Sequence, residues 1–280
     1  MTTPAVSSGL TLNGRLVPVQ GLEIVSYATG AVPRTTDGRA RTADKISAVV
    51  IHTTDGRAGA QLRPGSRASV LAESLARYQA TTARDVSWDF TVDSDGTVVQ
   101  SNDPGTWYTW HAEHANGYSI GIEMVQQPGS PDLWQAQIDA TVRLVTVLCE
   151  VFGIPKVTVV DAAGDPEHGI VRDWQEADEG GRQLAFNGVA GHRNLTTNKG
   201  PGDPGDLPFR ALLAAGFRGV LPAAMSRAAG QPPTRVTGGG GGGGGGSGGT
   251  GSTGSVSAGA MTFLALALGA AASIFWWKGR

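Results

Sequence analysis

The sequence predicts an α/β or α+β fold built on a mixed β-sheet, followed by a C-terminal transmembrane helix. Short apolar runs rich in valine and isoleucine alternate with stretches whose apolar residues recur at helical spacing. Glycine-containing turn signals separate them, and no segment repeats, so a single mixed sheet with helices is the simplest arrangement. The third observation is an uncharged segment of 22 residues, Val256 to Trp277, near the end of the chain. As a helix it would span about 33 Å, close to the hydrocarbon thickness of a bilayer.

In chain order, residues 1–45 read as an N-terminal hairpin and loop. Leu10 to Ala28 carries an Asn-Gly turn between apolar runs. "ISAVVIHTT", Ile46 to Thr54, is a central strand covered on both faces, with His52 near its end. Arg67 to Ala83 reads as a helix through Val70, Leu71, Leu75 and Tyr78. Val86 to Gln100 reads as a hairpin around "DSDG". A loop then leads to a second central strand, Ser119 to Val125. Pro131 to Gly153 is a strongly periodic helix, closed by the stop signal "GIP". Lys156 to Gln183 is a variable region, and "LAFNGVAGHRN" brings His192 to a strand exit. Leu207 to Ala215 is a short helix.

The folded part ends near residue 229. Nine consecutive glycines, Gly238 to Gly246, lie in a Gly/Ser-rich stretch at 230–255 that has no apolar surface to offset the entropy of ordering, so a flexible linker is expected. The remaining residues, about 230, suffice for one well-buried domain. The hydrophobic segment at 256–277 ends in Trp276 and Trp277, with Lys278 and Arg280 beyond, as at a membrane interface. The N-terminus has no charged region followed by an apolar one, so no signal peptide is expected.

Net charge is −2 with neutral histidines, and no basic cluster is present. That argues against a nucleic-acid partner, which would need a positive stripe. Cys149 is the only cysteine, which excludes an intrachain disulfide, and its apolar helical setting predicts an inert core thiol.

The candidate chemistry sits at the ends of the apolar runs. His52 ends one strand, Glu123 lies in the next, and His192 and Asp203 flank a third. Two imidazoles and a carboxylate with an open fourth position form the ligand set of a catalytic zinc site. From spacing alone, two histidines 140 residues apart are more often unrelated. Alternation in "SIGIEMV" sets Ile120, Ile122 and Met124 on one face and Glu123 on the other, where a carboxylate is exposed, paired or functional. The glycine-rich loop at 191–206 fits neither GxxxxGK[ST] nor GxGxxG, which argues against nucleotide binding.

"AVVIHTTDG", "VSWDFTVDSDGTVVQ", "WHAEHANGYSIGIE" and "GHRNLTTNKGPGDPG" occur in that order. Together they resemble the zinc-dependent N-acetylmuramoyl-L-alanine amidases of the type-2 class, which share a fold with phage lysozyme-type amidases and peptidoglycan recognition proteins. The likeness spans roughly Ile46 to Phe217. It implies a central mixed sheet flanked by helices, a catalytic domain at 46–229, one Zn2+ ion, and hydrolysis between N-acetylmuramic acid and L-alanine of the peptidoglycan stem. The resemblance implies His52, His192 and Asp203 as metal ligands, Asp203 rather than Asp206 because it precedes Pro-Gly. It implies Glu123 as general base or water-orienting group. Lys199 matches an oxyanion-stabilising lysine, but lies four residues before Asp203 where some relatives space it by two, and Arg193 is the substitute. His111, Trp110 and Asp89 match the substrate cleft, and Asp89 departs from the histidine or asparagine frequent there. Trp107 is a second aromatic that could stack on substrate. His114 and His168 have no match and are expected at the surface.

A phage endolysin that lyses the host cell is the expected setting, monomeric and held at the host inner membrane by its single C-terminal helix. The alternatives are a non-catalytic peptidoglycan-binding module and a bacterial wall-remodelling amidase. Retention of the implied ligands argues against the former. The two orientation cues disagree: Lys278 and Arg280 favour a cytoplasmic C-terminus, whereas synthesis without an N-terminal signal favours the reverse.

Overall fold

Continuous burial of the valine-rich runs requires cover on both faces, and those runs form the middle of one mixed sheet. The computed structural model describes residues 6–35, 39–56, 60–127, 130–177, 180–197 and 202–227. Within them the sheet has nine strands. They are β1 (Val6–Ser7), β2 (Ile24–Ser26), β3 (Ala48–Thr53), β4 (Phe90–Val92), β5 (Val98–Gln100), β6 (Ser119–Met124), β7 (Val157–Val159), β8 (Gly188–Gly191) and β9 (Arg218–Val220). Their spatial order is β1-β2-β5-β4-β6-β3-β8-β7-β9. From β4 across to β9 all neighbours run parallel. The β1–β2 and β4–β5 pairs are antiparallel.

Period-two alternation divides the sheet. Val49 and Ile51 of β3, Ile120, Ile122 and Met124 of β6, and Phe90 and Val92 of β4 share one core with Ile138, Leu144, Val145 and Leu148 of helix α2 (Gln135–Phe152) and Phe209 and Leu212 of helix α3 (Leu207–Ala214). Each such side chain, wholly withdrawn from water, contributes about 1.5–3 kcal/mol. On the opposite face, helix α1 (Leu71–Thr81) packs Ala72 and Ala76 against Val25, Val99 and Val125. Farther along that face Trp174 and Phe186 stack at 4.5 Å and cover Ala48, Val50, Val159 and Ala190. Ser119, Gly121, Glu123 and His52 therefore share the second face, at neighbouring positions on β6 and β3. The carboxyl ends of parallel strands are where α/β sheets place ligands.

Four elements differ from the sequence expectation. The first is α1, which runs Leu71–Thr81 instead of Arg67 to Ala83 and buries Ala72 and Ala76 while Val70 and Tyr78 are exposed. The N-terminal residues do form a hairpin, Gly9–Leu12 with Arg15–Pro18. They also supply β1 and β2 to the central sheet. The variable region after Lys156 contains β7, whose three residues are too few to show alternation. Helix α2 starts at Gln135 instead of Pro131 because Leu133–Trp134 is extended and pairs with Leu62–Arg63. Cys149 is buried on α2, and burial pushes its thiol up to about 12, as suits a core thiol. The linker expected at 230–255 and the transmembrane helix expected at 256–277 lie outside the described residues. Among the described residues no helix is long and apolar enough to cross a membrane.

Candidate metal centre

Strand pairing brings the first residues of the site together. His52 lies directly opposite Glu123 on neighbouring parallel strands, so both side chains leave the same face. On the other side Gly191 pairs with Ile51, and His192 follows as the chain leaves β8. Asp203 arrives from the loop. The Thr53 N–H donates to its Oδ1 at 2.9 Å, the Thr53 hydroxyl donates to Gly202 O at 2.8 Å, and the Arg193 N–H donates to Asp203 O at 2.7 Å. Gly191 permits the approach, because a Cβ there would lie 2.9 Å from Pro204 Cδ and 3.2 Å from Phe209 Cζ.

The result is a buried cluster of His52, His192 and Asp203 whose ligand atoms all lie within 4.8 Å of one another. His52 Nδ1 is 2.9 Å from His192 Nδ1, His192 Nδ1 is 3.2 Å from Asp203 Oδ2, and His52 Nδ1 is 4.0 Å from Asp203 Oδ1. Ligands set tetrahedrally at zinc distances stand roughly 3.3 Å apart, and the two separations from His192 Nδ1, 2.9 Å to His52 Nδ1 and 3.2 Å to Asp203 Oδ2, lie close to that value. Atoms that carry lone pairs and face each other so closely call for a shared proton or cation between them. Since Thr53 occupies Oδ1, Oδ2 is the oxygen turned to His192. The donor set and its spacing fit a zinc ion.

His111, expected to contact substrate, is buried against the cluster of His52, His192 and Asp203. Its Nδ1 stands 3.1 Å from His52 Nε2 and its Nε2 3.3 Å from Ser119 Oγ. Burial, reinforced by the Arg41 charge, pushes the His111 imidazole down to about 3, so the ring is neutral near pH 7. Asp89 likewise has no face open to a substrate. It is fully buried, and its carboxylate accepts from the Gly121 N–H at 2.9 Å, Asn102 Nδ2 at 3.0 Å and Thr109 Oγ1 at 3.3 Å. Arg41 Nη2 stands 4.0 Å from Asp89 Oδ2. Burial is the larger influence on both partners: it raises the Asp89 carboxyl and pulls Arg41 down to about 10. Arg41 also donates to the carbonyls of Pro104, Asn116 and Ser119, which braces the loop that carries His111.

Trp110 is half-buried beside His111, with the Arg39 guanidinium 5.4 Å from its ring centre and Tyr108 edge-on. Trp107 is more exposed and lies under Arg34 at 4.9 Å. Lys199 lies outside the described residues. Its substitute, Arg193, turns its guanidinium to Asp206 at 3.0 Å and over the Phe209 ring at 5.4 Å. Asp206, the rival ligand, is thus engaged with Arg193, while Asp203 joins the histidines. His114 is half-buried with Nδ1 3.5 Å from Glu176 Oε1, whereas the His168 side chain is largely exposed. Thr53, Ser119 and Gly121 were not singled out from the sequence. Alternation with Glu123 was the available signal for Ser119 and Gly121, and adjacence to His52 the signal for Thr53.

A family model described as N-acetylmuramoyl-L-alanine amidase matches residues 42–206. No curated protein matches the chain. Among solved structures, the N-acetylmuramoyl-L-alanine amidase LysC from Clostridium intestinale is similar at 14% identity over 69% of this chain and 96% of that one, with a TM-score of 0.41. The catalytic domain of XlyA is similar at 23% identity over 48% and 80%, TM-score 0.34. Drosophila peptidoglycan recognition protein SA is similar at 19% identity over 46% and 73%, TM-score 0.35.

Proposed function

Because the chain belongs to the N-acetylmuramoyl-L-alanine amidase family, we propose that it hydrolyses the bond between N-acetylmuramic acid and L-alanine of peptidoglycan at a zinc site formed by His52, His192 and Asp203. The observation that carries this reading is the convergence of those three side chains on the face that Glu123 shares. When bound, zinc supplies Lewis-acid polarisation of the amide carbonyl and a nucleophile at neutral pH. Glu123 accepts the proton of the attacking water and passes it to the departing L-alanine amine, which leaves as a neutral group. Thr53 holds the Asp203 carboxylate in one orientation, so that Oδ2 presents to the metal position. Burial of the three ligands excludes competing solvent and strengthens the local field.

Digestion of purified peptidoglycan, with products identified by mass, tests the reading. Stem peptides that begin with free L-alanine should appear, vanish after chelation and return on addition of zinc. Cleavage that persists undiminished in metal-stripped protein, or products cut at another bond, would sink it.

For the biological setting, a phage-type lytic enzyme anchored by residues 256–277 accounts for a catalytic domain joined through a glycine tract to an uncharged segment with terminal tryptophans. Full-length protein should then sediment with inner membranes and resist extraction by salt and alkali, while a chain ending at residue 229 should stay in the supernatant. Equal partitioning of the two would remove the anchor.

A further inference from the structure

We propose that His111 is a positioning residue for His52: a hydrogen-bond chain from Ser119 through His111 fixes the tautomer that turns the His52 Nδ1 lone pair to the metal position, a role that rests on the metal reading above. Ser119 Oγ stands 2.7 Å from Ala115 O and 3.3 Å from His111 Nε2. A hydroxyl has one proton, and the carbonyl can only accept, so the shorter contact takes it. Ser119 Oγ must then accept from His111 Nε2–H. A neutral imidazole protonated at Nε2 carries its lone pair at Nδ1. That lone pair faces His52 Nε2 at 3.1 Å, so His52 Nε2 donates and His52 Nδ1 carries the lone pair. Nδ1 is the atom grouped with His192 and Asp203. The reverse tautomer of His52 would set two lone pairs face to face at 3.1 Å and aim an N–H at the metal position.

The surroundings hold His111 for this task. Asn116 Oδ1 accepts from the N–H groups of both His111 and Ala112, at 2.8 and 2.7 Å. The rings of His52 and His111 meet edge-on, with centres 5.3 Å apart. Gly121 leaves the space the imidazole fills, since a Cβ there would come within 2.7 Å of His111 Cγ. With 8% of its surface exposed, His111 presents little to a substrate. Partners that orient a ligating imidazole through its second nitrogen typically change metal affinity by about 10–100-fold.

The test compares zinc affinity, by chelator competition, of wild type, His111→Phe and His111→Asn. Phenylalanine fills the space but cannot accept from His52, whereas asparagine Oδ1 can stand near the place of Nδ1. Phenylalanine should weaken zinc binding about 10–100-fold, and asparagine should recover most of that loss. The cobalt-substituted absorption spectrum should shift in the first variant and be near wild type in the second. Long-range 1H–15N spectra of the zinc-loaded and metal-free wild-type protein need no variant to fold, and should show Nε2–H on His111 in both states. A wild-type affinity in His111→Phe, equal weakening by the two substitutions, or Nδ1–H on His111 would each overturn the role. Wild-type protein that takes up no zinc would instead overturn the metal reading, and this role with it.

Discussion

Asp203→Ala is expected to abolish stoichiometric zinc uptake and to lower peptidoglycan cleavage by about 10³-fold or more, the loss that follows when several kcal/mol of metal-derived transition-state stabilisation disappears. The substitution removes one of three buried ligands and leaves two imidazoles to hold the ion. It also strips the Thr53 N–H of its acceptor. An unmet buried donor costs about 1–3 kcal/mol, so the alanine protein should melt at a lower temperature as well. Asp203→Asn separates the two effects. Its side-chain oxygen can still accept from Thr53, so the melting temperature should stay near wild type, while the lost charge weakens zinc binding and activity. Asp206→Ala is the control on ligand identity: it breaks the contacts with Arg193 and Arg210 but leaves the histidine cluster. Metal content measured on the three proteins, with stem-peptide release and thermal melts, decides the matter. An Asp203→Ala protein that keeps one zinc and the wild-type rate would exclude this ligand set.

The reason for that contrast also explains what the sequence could reveal. Strand β3, strand β6 and helix α2 announce themselves because each is long enough to express a period or an unbroken apolar run. Alternation alone separates Glu123 from Ile120, Ile122 and Met124. The choice of Asp203 over Asp206 rests on a resemblance to the amidase motif, since the contacts that fold the loop back, from Thr53 and past Gly191, are tertiary and leave no local pattern. His111 is harder still. It sits in a loop without periodicity, and its burial depends on a glycine ten residues later that lies beneath its ring. Asp89 follows the same logic: the resemblance places it at a cleft, but Gly121 of β6, Asn102 and Thr109 of the preceding connection, and Arg41 converge on it. Residues whose role is set by one neighbour in sequence were legible, and those set by neighbours in space were not.

Glu123→Gln should produce the second large effect, with a different signature. Glutamine keeps the size and the hydrogen-bonding reach of glutamate but cannot accept a proton at neutral pH, so a lost general base costs about 10²–10⁴-fold in kcat. Glu123 faces His52 across the β3–β6 pair and lies outside the ligand cluster. Zinc content and affinity should therefore be near wild type, KM should change little, and the loss should fall on kcat. This split sets Glu123→Gln apart from Asp203→Ala, where metal and rate fall together. It also sets it apart from His111→Phe, where affinity for zinc falls and excess zinc restores much of the rate. A Glu123→Gln protein that loses zinc in proportion to activity would make the carboxylate a support of the metal site. Retention of the wild-type kcat would remove it from proton transfer, and the proton would then have to leave by a group outside the pairing of β3 with β6.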